Sequence, residues 1–193
     1  MKTAVIPFKT ACHQSALKHP LNENQLTQIF VEQIEVKIKS NPYIGVKNQY
    51  SDTFGGTKGI PDFYFHKVEE GVHHLPLFVV EAKRLPAPTI SREKEYVVGN
   101  SDNGGIERFK TGKHGKGLNE CGMIGFVEKE AFTFWLQTIN AWITGLSKTC
   151  IFWKNNETLV EIERKEDFMA LKSVAHRTSQ DDVCLHHIWI KIQ

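Results

Sequence analysis

Two short apolar runs that carry charged residues at their ends constrain the fold of this chain most strongly. IPDFYFHKV begins at residue 60, and LPLFVVEAKRL follows after the turn-like segment VEEGVHH. The aromatic and β-branched residues of both runs predict β-strands, and Pro86 and Pro88 predict where the second strand ends. Two strands joined by a short turn predict an antiparallel hairpin. The charged residues at its end therefore need a physical explanation.

Three of these charged residues fall at one end of the predicted hairpin. Asp62 lies near the start of the first strand and Glu81 near the end of the second, so their carboxylates can meet at one end of a sheet. Glu81 and Lys83 are two residues apart, and their side chains project from the same face. Converging carboxylates suit Mg²⁺ or Mn²⁺, and a nearby lysine can hold a water or stabilise charge on a phosphoryl group. The pattern predicts metal-assisted hydrolysis of a phosphodiester.

Hydrophobic periodicity elsewhere predicts a mixed α/β domain around a central sheet. Apolar residues at helical spacing predict helices over residues 22–39, with Asn22 as the N-cap, and over EAFTFWLQTINAWITGLSK from residue 130. MIGFVEK and HHIWIKIQ predict further strands. TCIFWKNNETLVEIERK predicts a hairpin that turns at Asn155–Asn156.

The bulk composition predicts one domain of ordinary size. The chain has 193 residues, of which 40% are hydrophobic and 24% charged, values typical of folded proteins. A net charge of +2 is too small to indicate a nucleic-acid-binding protein by itself, although a local patch would suffice. Four scattered cysteines, with no signal-like or membrane-length apolar run, predict a cytoplasmic protein with reduced thiols.

The order Pro61-Asp62, an apolar strand, and Glu81-Ala82-Lys83 after four apolar residues resembles the PD-(D/E)XK nuclease superfamily. The resemblance implies the restriction-endonuclease-like α/β fold, an αβββαβ core whose mixed central sheet is flanked by helices. Residues 22–147 would supply this core, which is about two-thirds of the chain. Residues 148–193 would be C-terminal β additions that complete the sheet of one domain, residues 1–193.

The same resemblance implies a Mg²⁺-dependent nuclease that cleaves DNA in restriction, phage defence or repair, with Mn²⁺ able to substitute. Asp62 and Glu81 would be metal ligands together with the backbone carbonyl of Ala82, and Lys83 would be catalytic. The family often adds an acid from the first helix, for which Glu23, Glu32 and Glu35 are candidates; we favour Glu23, in NENQLT. The size of the chain suggests a homodimer or the nuclease subunit of a larger assembly. RNA stays open as an alternative substrate.

A glycine-rich, basic segment follows the lysine and predicts contact with a nucleic-acid backbone. Residues 84–117 contain seven Lys and Arg residues against four acids, and glycines allow a backbone to approach a phosphate closely. The residues expected to contact nucleic acid are Lys58, Arg84, Arg108, Lys110, Lys113, His114 and Lys116.

Other interpretations of the same residues stay open. Asp62 can cap a turn, and Glu81 with Lys83 can be an edge-strand ion pair. The fold can serve as an inactive module that binds nucleic acid or protein, or the site can hydrolyse small phosphorylated substrates. A zinc site at Cys184, His186 and His187, or at His73 and His74, is not predicted, because no second cluster has the spacing of metal ligands.

Overall fold

A seven-stranded mixed β-sheet flanked by helices organises the molecule, in agreement with the predicted α/β class. The computed structural model describes residues 1–16, 20–51 and 59–192. Within them the helices are α1 (Val5–Ala16), α2 (Glu23–Ile38), α3 (Gly105–Lys110) and α4 (Phe132–Thr149). The strands are β1 (Ile44–Asn48), β2 (Phe63–Lys67), β3 (Pro76–Leu85), β4 (Glu120–Val127), β5 (Val160–Arg164), β6 (Phe168–Ala175) and β7 (Val183–Lys191).

The strand order places the two halves of the chain in one sheet. The order is β1-β2-β3-β4-β7-β6-β5. Strands β1, β2 and β3 pair antiparallel, β3–β4 and β4–β7 pair parallel, and β7, β6 and β5 pair antiparallel. Residues 186–191 of the predicted strand HHIWIKIQ are thus part of β7, which lies inside the sheet between β4 and β6.

The two faces of the sheet are covered by different helices. Helices α1 and α2 pack on one face through side chains such as Phe8 and Phe30, against Ala82 and Ile188. Helices α3 and α4 cover the other face, where Phe109 and other apolar residues join a second buried cluster. Because successive strand residues alternate between faces, the central strands β3, β4 and β7 each have one row of side chains in each buried cluster.

Helix α2 begins at a well-defined residue, which fixes the place of Glu23. The Asn22 side chain accepts a hydrogen bond from the backbone N–H of Gln25 at 3.0 Å, and the Gln25 side chain accepts one from the Asn22 backbone at 2.9 Å. This reciprocal capping box satisfies two donors at the helix start. The helix predicted over 22–39 is confirmed, with bounds of 23–38.

The hairpin predicted around Asn155–Asn156 is wrong. Residues 155–157 form a short 3-10 turn, and β5 pairs with β6 instead. Trp153 is buried in the core and Glu157 turns inward, accepting hydrogen bonds from the backbone N–H groups of Lys154 and His176. These buried anchors keep the segment before β5 out of a strand.

Helix α1 was not predicted, because Pro7 and Lys9 interrupt its apolar pattern. Pro7 lies in the first turn of the helix, where its missing N–H costs no intrahelical hydrogen bond. Across the described ranges, no helix combines the length and apolar character required to cross a membrane.

Candidate functional site

The β2–β3 hairpin brings Asp62 against the strand that carries Glu81. Phe63 pairs with Val80, so Asp62, one residue earlier, lies opposite Glu81. The Asp62 Oδ2 atom accepts a hydrogen bond from the backbone N–H of Ala82 at 2.7 Å. One aspartate oxygen is thus fixed to β3 directly beside the glutamate.

Glu81 and Lys83 form a buried ion pair on the α3 side of the sheet. The Lys83 Nζ atom lies 2.7 Å from Glu81 Oε1, and it also donates to the carbonyl oxygen of Ala82 at 2.9 Å. Glu81 is 0% exposed and Lys83 is 5% exposed. Their two-residue spacing on a strand produces this contact, as the sequence predicts.

Glu23 joins this pair from the first turn of α2. Its Oε1 atom lies 3.4 Å from Lys83 Nζ, and its Oε2 atom accepts a hydrogen bond from the backbone N–H of Arg84 at 3.1 Å. Glu32 and Glu35, the other two candidates from this helix, are exposed. Glu32 instead accepts a hydrogen bond from Gln28 on its own helix. Of the three acids, Glu23 is the one at the site.

Helix α3 and the turn after it supply two further groups beside Glu81. Arg108 Nη1 donates to Glu81 Oε1, and His114 Nδ1 lies 3.2 Å from Glu81 Oε2. Gly59 makes this packing possible, since a Cβ there would lie 2.4 Å from the carbonyl oxygen of Lys113. The sequence predicted contacts of Arg108 and His114 with nucleic acid, but gave no sign that both approach Glu81.

The electrostatics of the site are unbalanced toward negative charge. The carboxylates of Glu23, Asp62 and Glu81 face two permanent cations, Lys83 and Arg108. Burial, followed by the nearby Glu81 charge, raises the pKa of Asp62 to about 7. Burial alone would also raise the pKa of Glu81, but Lys83, His114 and Arg108 overcome it and lower that pKa to about 2.

The oxygen donors fit a small divalent cation. Glu81 Oε2 is buried and faces His114 Nδ1 at 3.2 Å, an ion-pair contact without well-aligned hydrogen-bond geometry, so the oxygen keeps a lone pair that a cation could use. Burial and the Glu81 charge raise the pKa of Asp62 by more than Lys83 and the Ala82 N–H lower it. Carboxylate and carbonyl oxygens are the ligands that Mg²⁺ and Mn²⁺ prefer. A cation bound by Asp62, Glu81 and the Ala82 carbonyl would supply the missing charge.

Two cavities flank this carboxylate–lysine cluster, which comprises Glu23, Asp62, Glu81 and Lys83. A polar cavity of about 230 Å³ beside Asp62 is lined by Asn24, Thr27, Gln28, Asn48, Gln49 and Asp62. A wider groove of about 660 Å³ reaches Arg108 and is lined by residues between 90 and 103. The amide-rich cavity was not predicted, because its residues come from α2, β1 and the residues next to them.

The residues predicted to contact nucleic acid divide into exposed and buried groups. Arg84 is half-buried and pairs with Glu128, whose Oε2 lies 2.7 Å from Arg84 Nη2. Lys113 donates to two backbone carbonyl oxygens, and Lys116 is exposed. Lys58 lies outside the described residues.

Lys110 and His114 require a correction. Lys110 is 2% exposed and its ammonium contacts Glu157, while His114 is 1% exposed and faces Glu81. Neither side chain has the exposed surface that direct contact with a phosphate requires. His114 thus belongs to the surroundings of Glu81, and Lys110 belongs to a separate buried ion pair with Glu157.

The raised pKa of Asp62 gives a pH-dependent prediction for the metal-free protein. Between its ordinary pKa of 3.8 and its folded value of about 7, Asp62 binds more protons in the folded than in the unfolded state. Its contribution therefore lowers the free energy of unfolding as pH rises through this window. In EDTA, we expect Asp62→Asn to gain roughly 2–4 kcal/mol relative to wild type between about pH 4 and about pH 8, measured by urea unfolding.

The asparagine keeps an oxygen that can accept a hydrogen bond from the Ala82 N–H. The substitution therefore tests the effect of the carboxylate charge alone. Asp181 is exposed, and Asp181→Asn is the matched control, with a stability difference that should not change across this range. A difference for Asp62→Asn that is also independent of pH would contradict the prediction.

Comparisons of the whole chain with models of known families, with curated proteins and with solved structures found no match.

Proposed function

We propose that this protein is a Mg²⁺-dependent nuclease that hydrolyses phosphodiester bonds of DNA, with Mn²⁺ able to replace Mg²⁺. The observation that carries the proposal is the convergence of the Asp62, Glu81 and Glu23 carboxylates around the buried Lys83. The chain order α2, β1–β3, α3 and β4 supports the αβββαβ core of the restriction-endonuclease-like fold.

The side chains divide into metal-holding and charge-stabilising groups. Asp62, Glu81 and the Ala82 carbonyl would hold the cation, and Glu23 would add a third carboxylate. When bound, Mg²⁺ supplies electrostatic stabilisation of the negative charge that develops on the phosphoryl group. Lys83 is held by Glu81 and the Ala82 carbonyl, so its ammonium is fixed where it can orient a water and offset the same charge.

The surroundings of the cluster supply a path for a nucleic-acid strand. The polar cavity includes Asp62 itself, and the groove includes Arg108, which contacts Glu81. Arg84, next to Lys83 in β3, is half-buried and Lys116 is exposed, so both retain surface that would attract phosphates. Cleavage of both strands of a duplex would need a second site, which a homodimer or a larger assembly would provide.

The ion pairs that Glu81 already makes favour a second candidate function. Glu81 Oε1 already accepts from both Lys83 and Arg108, an arrangement that is stable without a metal. The same domain would then bind DNA or a protein partner without turnover.

Cleavage assays separate the two functions. Purified protein is incubated with supercoiled plasmid, linear duplex and single-stranded DNA in Mg²⁺, Mn²⁺ or EDTA. We expect cutting with either metal and none in EDTA, and a loss of roughly a hundredfold or more in Asp62→Asn. Asp181→Asn, purified in the same way, is expected to cut like wild type. Equal cutting by Asp62→Asn would refute the site, and DNA binding without cutting under any metal would support the second candidate.

A further inference from the structure

A second cluster of metal-binding side chains lies on the opposite face of the sheet. Glu120, Cys184 and His186 each offer one ligand atom, and these atoms all lie within 4.8 Å of one another. The Cys184 Sγ atom is 3.7 Å from His186 Nε2, and that nitrogen also contacts Glu120 Oε2. A thiol, an imidazole and a carboxylate therefore converge on one point.

The pairing of β4 with β7 creates this cluster. Glu120 pairs directly with Cys184, and Gly122 pairs with His186. Glu120 thereby becomes a neighbour of Cys184, which is 64 positions away in the sequence, and of His186, which is 66 positions away. Strand alternation places Cys184 and His186 on the same face as Ile188, which packs under α1 and α2. Glu81 and Lys83 alternate with Val80 and Ala82 and point to the other face. The two clusters are therefore separated by the sheet.

The Phe78 ring lies over Gly122 and beside the imidazole of His186. A Cβ on Gly122 would lie 2.8 Å from Phe78 Cε1, so the absence of a side chain lets the Phe78 ring lie over β4. The ring centroids of Phe78 and His186 are 6.2 Å apart. Phe78 therefore borders one side of the imidazole, whose Nε2 faces Cys184 and Glu120. Ligands carried by two paired strands are already positioned before a metal binds.

We propose that Glu120, Cys184 and His186 bind Zn²⁺. Zn²⁺ takes sulfur, nitrogen and carboxylate ligands, and bond lengths of about 2.0–2.3 Å place the atoms of a tetrahedral site roughly 3.5 Å apart. The 3.7 Å between Cys184 Sγ and His186 Nε2 is close to this value, and the Glu120 carboxylate, now in contact with His186, would move apart from it to bind the metal. A thiolate with an imidazole disfavours Mg²⁺, which requires oxygen ligands. Three protein ligands leave the fourth position for water. The site is independent of the proposed nuclease function.

Lys172 is the cation beside Cys184. Lys172 pairs with His186 across β6 and β7, and its positive charge lies close enough to Cys184 to counteract the effect of burial, which raises the pKa of the thiol. The side chain is exposed, so its ammonium can turn toward solvent. On binding, Cys184 releases its proton to solvent and the metal takes its place, so affinity increases with pH.

Cobalt substitution tests this assignment directly. The reduced, metal-free protein is titrated with Co²⁺, whose bond to a thiolate produces a near-ultraviolet charge-transfer absorption. We expect about one thiolate-bound Co²⁺ per chain, displaced by Zn²⁺. Cys184→Ser is expected to abolish this absorption, and Glu120→Gln and His186→Gln each to weaken Co²⁺ binding by roughly tenfold or more.

The exposed Cys150 offers a matched control, because Cys150→Ser should leave the absorption unchanged. Absence of the thiolate band, its persistence in Cys184→Ser, or its loss in Cys150→Ser would each overturn the proposal. Mg²⁺-dependent cleavage should be the same in Cys184→Ser as in wild type. Failure of the nuclease proposal and failure of the zinc proposal are thus seen in separate measurements.

Discussion

Replacement of Lys83 by methionine is expected to lower metal-dependent DNA cleavage by roughly 10²–10⁴-fold. The Lys83 ammonium contacts Glu81, Glu23 and the Ala82 carbonyl, so no other cation of the described site occupies the same position. Methionine is similar in length and apolar, so the buried stem keeps its packing while the charge is lost. Initial rates of plasmid nicking under saturating Mg²⁺ measure the effect.

Metal affinity distinguishes a catalytic lysine from one that merely holds the site together. Removal of the ammonium leaves the carboxylates of Glu81, Asp62 and Glu23 with less compensating charge, so we expect Lys83→Met to bind Mg²⁺ at least as tightly as wild type. Calorimetric titration with Mg²⁺ measures this affinity. A variant that loses both cleavage and metal binding would show that Lys83 acts by maintaining the structure of the cluster.

The stability of the same variant gives a third readout. In EDTA the free energy of unfolding is expected to fall by about 3 kcal/mol, because Glu81 loses a buried partner but keeps Arg108 and His114. Mg²⁺ should restore part of this loss by binding the folded state. Lys148 is exposed near the end of α4, and Lys148→Met is expected to leave cleavage, affinity and stability unchanged.

Local sequence patterns predicted the part of the site that depends on local structure. The alternation of strand residues places Glu81 beside Lys83, and a hairpin places Asp62 opposite Glu81. The first turn of α2 could be located because Asn22 is a strong N-cap. Each of these contacts follows from the geometry of one element or of two consecutive ones.

Contacts between distant segments could not be predicted in the same way. Arg108 and His114 reach Glu81 only because α3 packs on the sheet, and Glu120 meets Cys184 only because β7 inserts beside β4. The composition of the basic segment suggested that Lys110 is a surface residue, whereas tertiary packing buries it. A lysine that is buried with an acid has the same local sequence signal as an exposed one.

Replacement of Lys110 by methionine is expected to lower the free energy of unfolding by about 3–5 kcal/mol. The Lys110 ammonium contacts Glu157, donates to the His176 carbonyl at 3.0 Å, and lies 4.7 Å from the ring centroids of Phe152 and Trp153. Its removal leaves Glu157, whose side chain is 1% exposed, without its cationic partner. Urea unfolding at neutral pH measures the change.

Variants of Glu157 and Lys113 separate a buried ion pair from a surface charge. The double variant Lys110→Met/Glu157→Gln should recover part of the lost stability, since glutamine is neutral. Its single oxygen can accept from only one of the backbone N–H groups of Lys154 and His176, which donate to different oxygens of Glu157. Lys113 is less buried than Lys110, so Lys113→Met should lower the free energy of unfolding by less than about 1 kcal/mol.

The salt dependence of DNA binding determines whether Lys110 also contacts a phosphate. Loss of one phosphate contact reduces the slope of log affinity against log salt by about 1. Because Lys110 is enclosed by Glu157, Phe152 and Trp153, we expect Lys110→Met to leave this slope unchanged in protein that remains folded. A reduced slope together with an unchanged free energy of unfolding would instead show that Lys110 contacts a phosphate of the nucleic acid. The burial of its ammonium makes the first result the expected one.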